Sequence, residues 1–189
     1  LIFKGNSGNY CTLVSDIPTA SKTINFEFVE CKDAAGKHYA VTKIGNQTWM
    51  AENLAYLPQV ASSVSVGSED SGNEEKPFYY INDLTKYGVL YNWHAALTAA
   101  PQGWHLPSDN EWTVLNNYLG GWSVSGGKLK STSGWNNPNT GASNSSCFSA
   151  LPGGFRNADS FAYKGELSIW WSSTEHNISH SKSVDIFYN

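Results

Sequence analysis

The sequence predicts an α+β domain, because strand-like alternation, two amphipathic helical stretches and long glycine-punctuated connections follow one another along its 189 residues. Strand patterning dominates the start, helical patterning the middle, and loops with a few strand-like pieces the remainder.

Residues 1–35 read as strands. Thr23–Val29 alternates, with Ile24, Phe26 and Phe28 on one face and Asn25 and Glu27 on the other. Asp33–Gly36 reads as a turn and Tyr39–Ile44 as the next strand. Gly45-Asn46 suits a two-residue hairpin, from which Gln47–Met50 returns antiparallel. Residues 58–77 are polar and acidic, an expected exposed loop. Its oxygen ligands lack the D-x-[DN]-x-[DN]-G spacing of an EF-hand, so no calcium is assigned.

Two helices follow. Leu90, Trp93 and Leu97 lie at i, i+3 and i+7, with Ala95 and Ala96 adding helix propensity. Ser108-Asp-Asn-Glu111, preceded by Pro107, is a capping box that should start a helix running from about Ser108 to Leu119. Trp112, Leu115 and Leu119 form its apolar stripe, and Gly120-Gly121 ends it. Beyond Gly121 the chain becomes loop-rich, with strand-like pieces at Phe148–Leu151, Ser168–Ser173 and Ser183–Tyr188.

Composition narrows the function. Charged residues make up 15% against the roughly 25% usual in soluble domains, while aromatics reach 14%. A surface solvated by Ser, Asn, Thr and Gly suits a secreted protein, and one rich in Tyr, Trp, Asn and Ser suits recognition. The net charge of −4 and scattered basic residues, with Lys128 and Lys130 the densest pair, argue against nucleic acid. No apolar run approaches the roughly 20 residues of a bilayer span. A signal peptide or lipid anchor would precede Leu1. Of the three cysteines, Cys11 and Cys31 occupy neighbouring β-type segments and form a candidate disulfide, leaving Cys147 as a buried thiol. No Cys/His spacing suggests zinc.

Five strings carry a family resemblance: KIGNQTWMAENL (43–54), YGVLYNWHAAL (87–97), GWHLPSDNEW (103–112), FSALPGGFRN (148–157) and WWSSTE (170–175). Their order and separation resemble the Fibrobacter succinogenes major paralogous domain over roughly residues 33–188. That family occurs in secreted and surface proteins, including those of Bacteroidetes. GWHLPSDNEW is also similar to the L-P-[ST]-x-x-E-W segment of the formylglycine-generating-enzyme group. The likeness implies a C-type-lectin-like fold, a small twisted antiparallel sheet with two flanking helices and long irregular loops. It divides the chain into an N-terminal β segment, 1–32 (edge strands or the tail of a preceding domain), and a lectin-like domain, 33–189. Two departures stand out. Ala100 occupies a position where the family commonly has Cys, and the chain stops at Asn189 where relatives end in a strand resembling GFSVRCV. Both partners of the disulfide implied by the resemblance are therefore missing, so either the chain is trimmed or residues 1–31 supply a replacement edge strand and bridge.

Trp104, Leu106 and Trp112 read as packing around the second helix, and Trp49, Trp93, Trp170 and Trp171 as filler between sheet and helices, so the fingerprint is expected to be one of folding. Enzyme chemistry finds little support. The formylglycine-generating reaction implied by the resemblance relies on late cysteines that hold copper, and Cys147 is the one late cysteine. There is no G-x-S-x-G and no H-E-x-x-H. His94 and His105 fall inside packing motifs. His176 and His180 would need a helix to share a metal. Asp159, Glu166, Glu175 and Asp185 offer no recognisable glycosidase pair. No cofactor is expected.

Recognition is expected from the late loops, the usual recognition face in related lectin-like proteins. The candidates are Arg156, Asn157, Asp159, Tyr163, Glu166, Trp171, Glu175 and Asn177, which combine stacking and hydrogen-bonding groups. The E-P-N, Q-P-D and W-N-D triplets of calcium-dependent lectins are absent. The reading is an extracytoplasmic or cell-surface binding and adhesion module for a glycan or a protein. A structural surface or fimbria-associated domain is the alternative, and an oxidase relative is a more distant one.

Overall fold

The computed structural model describes residues 1–57, 79–81, 83–157, 160–177 and 180–189, with residues 79, 80, 176, 177 and 180 described by their backbone alone. The expected acidic loop at 58–77 lies outside the described residues.

The chain opens with a hairpin of β1 (Ile2–Ser7) and β2 (Tyr10–Ser15). β2 then pairs in parallel with β3 (Val41–Ile44), through Thr12 opposite Val41 and Leu13 opposite Thr42. β3 turns through Gly45-Asn46 into antiparallel β4 (Gln47–Met50), as the sequence predicts. The sheet order is β1-β2-β3-β4. The strand expected at Thr23–Val29 does not form. That segment is an extended strap over the sheet face: Phe26 packs on Gly5, Thr12 Oγ1 donates to the Glu27 carbonyl at 2.8 Å, and Lys43 pairs with Glu27 at 3.0 Å. Of the segment's expected inward face, Ile24 and Phe26 are partly buried while Phe28 is exposed. A ladder needs a free neighbouring edge, and β2 is already paired on both sides.

Asp33 organises the return to β3. It is 4% exposed, and its carboxylate accepts from the amides of Ala35 and Lys37, each at 2.9 Å, and from the Tyr39 hydroxyl at 2.6 Å. The Tyr39 oxygen in turn accepts from the Ala55 amide at 3.1 Å. Burial, then the bond to Asp33, pushes the Tyr39 hydroxyl well above its ordinary pKa. Cys31 packs here with Tyr39 and Val41, and burial raises its thiol to about 12. The expected Cys11–Cys31 bridge is not formed: Cys11, Cys31 and Cys147 are all free. Cys31 points into this small cluster, while Cys11 belongs to the β1–β2 ladder opposite Asn6.

Four helices occur among the described residues, against two expected: α1 (Leu84–Tyr87), α2 (Trp93–Ala99), α3 (Asp109–Tyr118) and α4 (Trp122–Leu129). In α2 the Leu90/Trp93/Leu97 stripe is not the buried face. Asn92 caps the helix by accepting from the Ala95 amide, which places Leu90 outside it, and Ala95, Ala96 and Ala99 are buried while Leu97 is 39% exposed. α3 forms as predicted. Ser108 Oγ accepts from the Glu111 amide, Glu111 Oε2 accepts from the Ser108 amide at 2.8 Å, and Trp112, Leu115 and Leu119 are buried. α4 contains Gly126-Gly127, which reads as a helix breaker. Tertiary contacts override that propensity: Ser125 donates to the buried Asn116 side chain, Lys128 Nζ to the Leu119 carbonyl at 2.8 Å, and Ser143 N to the Gly127 carbonyl at 2.8 Å.

The remaining strands are β5 (Tyr79–Tyr80) with β6 (Leu90–Tyr91), β7 (Phe155–Arg156) with β8 (Phe161–Ala162), and the long antiparallel pair β9 (Leu167–Asn177) and β10 (His180–Phe187). The fold is α+β, with ten strands in four small sheets among the described residues rather than the few expected. Phe148–Leu151 is not a strand but a single bridge of Ala150 to Lys130. The main core joins Ile44 and Trp49 to Trp112, Leu115 and Leu119 of α3, Leu129 of α4, Trp135, Phe148, and Val184 and Ile186 of β10. No helix among the described residues is long and apolar enough to cross a membrane.

Replacing Ser108 by Ala removes one end of the capping box and should cost about 0.5–2 kcal/mol in a denaturation experiment; an unchanged midpoint would contradict the cap. Glu111 yields a pH dependence. Partial burial raises its pKa, but the Ser108 amide and hydroxyl and His105, 2.8 Å away, outweigh this and hold it below the ordinary carboxylate value. A carboxyl lowered on folding contributes stability that is complete above its unfolded pKa and is lost as pH falls through the folded one. Glu111→Gln should therefore lower the melting temperature at neutral pH and converge with the parent below about pH 4. Melting curves that stay parallel down to pH 3 would overturn this.

Candidate ligand-binding face

Three of the late candidates, Arg156, Asn157 and Tyr163, are organised by the β7–β8 hairpin. Gly154 makes that hairpin fit. Its φ of +70° is glycine's territory, and a Cβ there would stand 2.1 Å from the Ala162 carbonyl. With no side chain in the way, Gly154 N donates to the Leu167 carbonyl at 2.8 Å and bridges to Ser168, fixing the hairpin to β9. Phe155 pairs with Ala162 and Arg156 with Phe161. Asn157 closes the turn: its amide donates to the Ser160 carbonyl at 3.0 Å, and its side-chain oxygen accepts from the Ser160 amide at 2.8 Å.

Tyr163 leaves β8 with φ +58°, its carbonyl accepting from the amides of Glu166 and Leu167, both at 3.0 Å. That bend brings its ring over Phe155, with centroids 5.5 Å apart and planes at 15°, while 56% of the residue stays exposed. Phe161 and Asn157 are exposed and Arg156 is half-buried. Exposed Lys164 and Lys86 add positive charge, their ammonium groups 5.2 and 4.9 Å from the centre of the Tyr87 ring. Asp83 is held below the usual carboxylate range, first by the Thr85 hydroxyl, then by the Lys86 amide, with the charges of Lys164 and Lys86 adding.

The eight late candidates do not converge on one face. Arg156, Asn157 and Tyr163 share the hairpin, with half-buried Glu166 next to it. Trp171 is a structural anchor, its indole N–H donating to the Tyr91 carbonyl at 2.7 Å. Glu175 and Asn177 lie toward the far end of β9, opposite Ser181 and His180. At about 3.3 Å per residue, the length of β9 places Asn177 about 30 Å from Leu167. Asp159 lies outside the described residues. Reading by motif missed Phe155, Phe161, Lys164 and Lys86. Phe155 sits inside a string that looks like packing, and nothing local in the sequence relates Lys86 to a hairpin so much later in the chain.

Among the described residues no three His, Cys, Asp or Glu side chains gather to hold a metal ion. His105 is engaged with Glu111 and His94 lies edge-on to Trp93 with ring centres 5.2 Å apart; the side chains of His176 and His180 lie outside the described residues. A family model described as the Fibrobacter succinogenes major domain matches residues 42–188. Neither curated proteins nor solved structures show a match to the chain.

The hairpin's dependence on Gly154 is open to test. Gly154→Ala must strain the backbone and displace the Ala162 carbonyl, and should cost at least about 1–3 kcal/mol in urea denaturation. A variant as stable as the parent would show that the hairpin does not pack on β9 in this way.

Proposed function

The chain belongs to the Fibrobacter succinogenes major domain family, and from that premise we propose that it is a non-catalytic, extracytoplasmic binding module that recognises a glycan through the β7–β8 hairpin. The observation that carries this reading is the posture of Tyr163. Its ring is braced on Phe155 by a left-handed backbone and remains more than half exposed, on a hairpin that also carries Arg156 and Asn157 and is followed by Lys164. A braced aromatic ring loses little conformational entropy when a sugar face stacks on it. The guanidinium, ammonium and amide carried by the same stretch of chain suit hydroxyl and carboxylate groups. These groups hold a ligand; they do not make up a nucleophile with its base. A C-type-lectin-like arrangement is part of the proposal, supported by irregular loops carried on a long two-stranded sheet and flanking helices. Display at the cell surface, by a lipid anchor or a neighbouring module, fits a surface poor in charge and rich in neutral polar groups.

The test is a glycan array spanning neutral and acidic oligosaccharides, followed by calorimetry on the strongest hit. Tyr163→Asn removes the ring while suiting the positive φ, since Asn tolerates that region. Combined with Arg156→Ala, it should weaken binding about tenfold or more with a stability change within about 0.5 kcal/mol. Undiminished affinity in the double variant would place recognition elsewhere, and a blank array would favour a structural role at the surface.

A further inference from the structure

Away from the hairpin, the β2–β3 junction carries a second set of recognition groups. The parallel ladder there stops after Leu13 opposite Thr42, and the two strands part. The strap of residues 25–29 and the C-terminal end of α3 wall in the opening, which has a volume of about 430 Å³. This falls within the ~300–1,000 Å³ typical of small-ligand sites. Half of the wall comes from residues that precede the family-matched segment and half from within it, so the N-terminal strands complete the cleft.

Tyr118 stands at the rim, 65% exposed. Its ring rests on the β3–β4 turn, with Cδ2 2.8 Å from where a Cβ on Gly45 would stand; the turn's φ of +61° likewise calls for glycine. The ring thus has one side against backbone while most of the residue faces water. Ser15, Asn25 and Thr48 also line the cleft. Neither their side chains nor the Tyr118 hydroxyl makes a hydrogen bond within the described residues. The charges at the cleft, Lys43 and Glu27, are paired with each other at 3.0 Å.

We propose that this cleft binds a neutral oligosaccharide, with Tyr118 as its stacking platform. An aromatic ring supported from behind offers an apolar face to the C–H side of a sugar ring, and its hydroxyl offers a polar tip. Ser15, Asn25 and Thr48 supply both donors and acceptors, which a hydroxyl-dense ligand can satisfy in either sense. The ion pair leaves the cleft without a net charge to attract an anion, in contrast to the lysine-bearing hairpin face. This site is separate from the hairpin, and either can fail without the other.

The experiment titrates the whole chain with cellohexaose, xylohexaose, mannohexaose and laminarihexaose, reading saturation-transfer NMR and calorimetry. At least one should bind. Tyr118→Ala should weaken that binding about tenfold or more, whereas Tyr118→Phe, which keeps the platform, should stay within about threefold. The Tyr163→Asn/Arg156→Ala variant should bind the same sugar as the parent does, which separates this cleft from the hairpin. If Tyr118→Ala fails to fold, Asn25→Ala and Thr48→Ala, at exposed positions lining the cleft, repeat the test with about threefold losses expected. Binding by none of the four sugars, or a folded Tyr118→Ala that binds as tightly as the parent, overturns the proposal.

Discussion

The packing of Trp112 against Trp49 is the contact from which the rest of the structure extends. Their rings are 4.8 Å apart, and Phe148 closes on both, at 5.9 Å from Trp49 and 6.1 Å from Trp112. The three rings bring β4, α3 and a late loop together, and Phe148 passes the contact on to Trp170 of β9 at 5.7 Å. With so many short elements, no single sheet or helix pair buries enough surface alone. Large aromatic side chains make up the difference, since each buries about 150–250 Å².

The tryptophans also act as stitches. Trp93 donates its indole N–H to the Ser172 carbonyl, Trp171 to Tyr91, Trp104 to Glu30 and Trp135 to Ala150, at 2.7–3.0 Å. Each bond joins a regular element or motif to backbone outside its own ladder. Strand edges and irregular segments both leave carbonyls with spare acceptor capacity, and an indole supplies a donor along with apolar bulk. Trp49 is different: its N–H is buried without a partner. That costs about 1–3 kcal/mol, which the packing around its ring must offset.

Buried polar groups complete the bracing that the exposed faces rely on. Lys130, 2% exposed, donates to the carbonyls of Phe187 and Tyr188 at 3.0 and 3.3 Å, and desolvation lowers its pKa. It thereby ties the end of β10 to α4. Asp33 with Tyr39 does the same for the entry to β3, and Asn116 with Ser125 for the α3–α4 corner. Tyr118 and Tyr163 are consequently carried on rigid backbone although both are exposed, the arrangement that binding side chains need in order to lose little entropy on contact.

The sequence by itself determined the elements whose signals are local. The α3 capping box, its Trp112/Leu115/Leu119 stripe and the Gly45-Asn46 hairpin are complete within a few residues, so neighbouring chemistry suffices to specify them. The five strings were enough to identify the family. Tertiary structure decided the rest. The Thr23–Val29 alternation became a strap because no sheet edge beside β2 was free, and α4 formed across Gly126-Gly127 because Asn116, Leu119 and Ser143 hold it. The phase of α2, by contrast, was local information that the Leu90/Trp93/Leu97 spacing obscured: Asn92 caps the helix and turns Leu97 outward. Packing also governs the sites: Tyr163 gains a brace in Phe155 across the hairpin, Lys164 meets Tyr87 from a segment far away in the chain, and Tyr118 gains a seat on Gly45. Periodicity and caps operate over a few residues, whereas a binding face is assembled by packing, which no local pattern records.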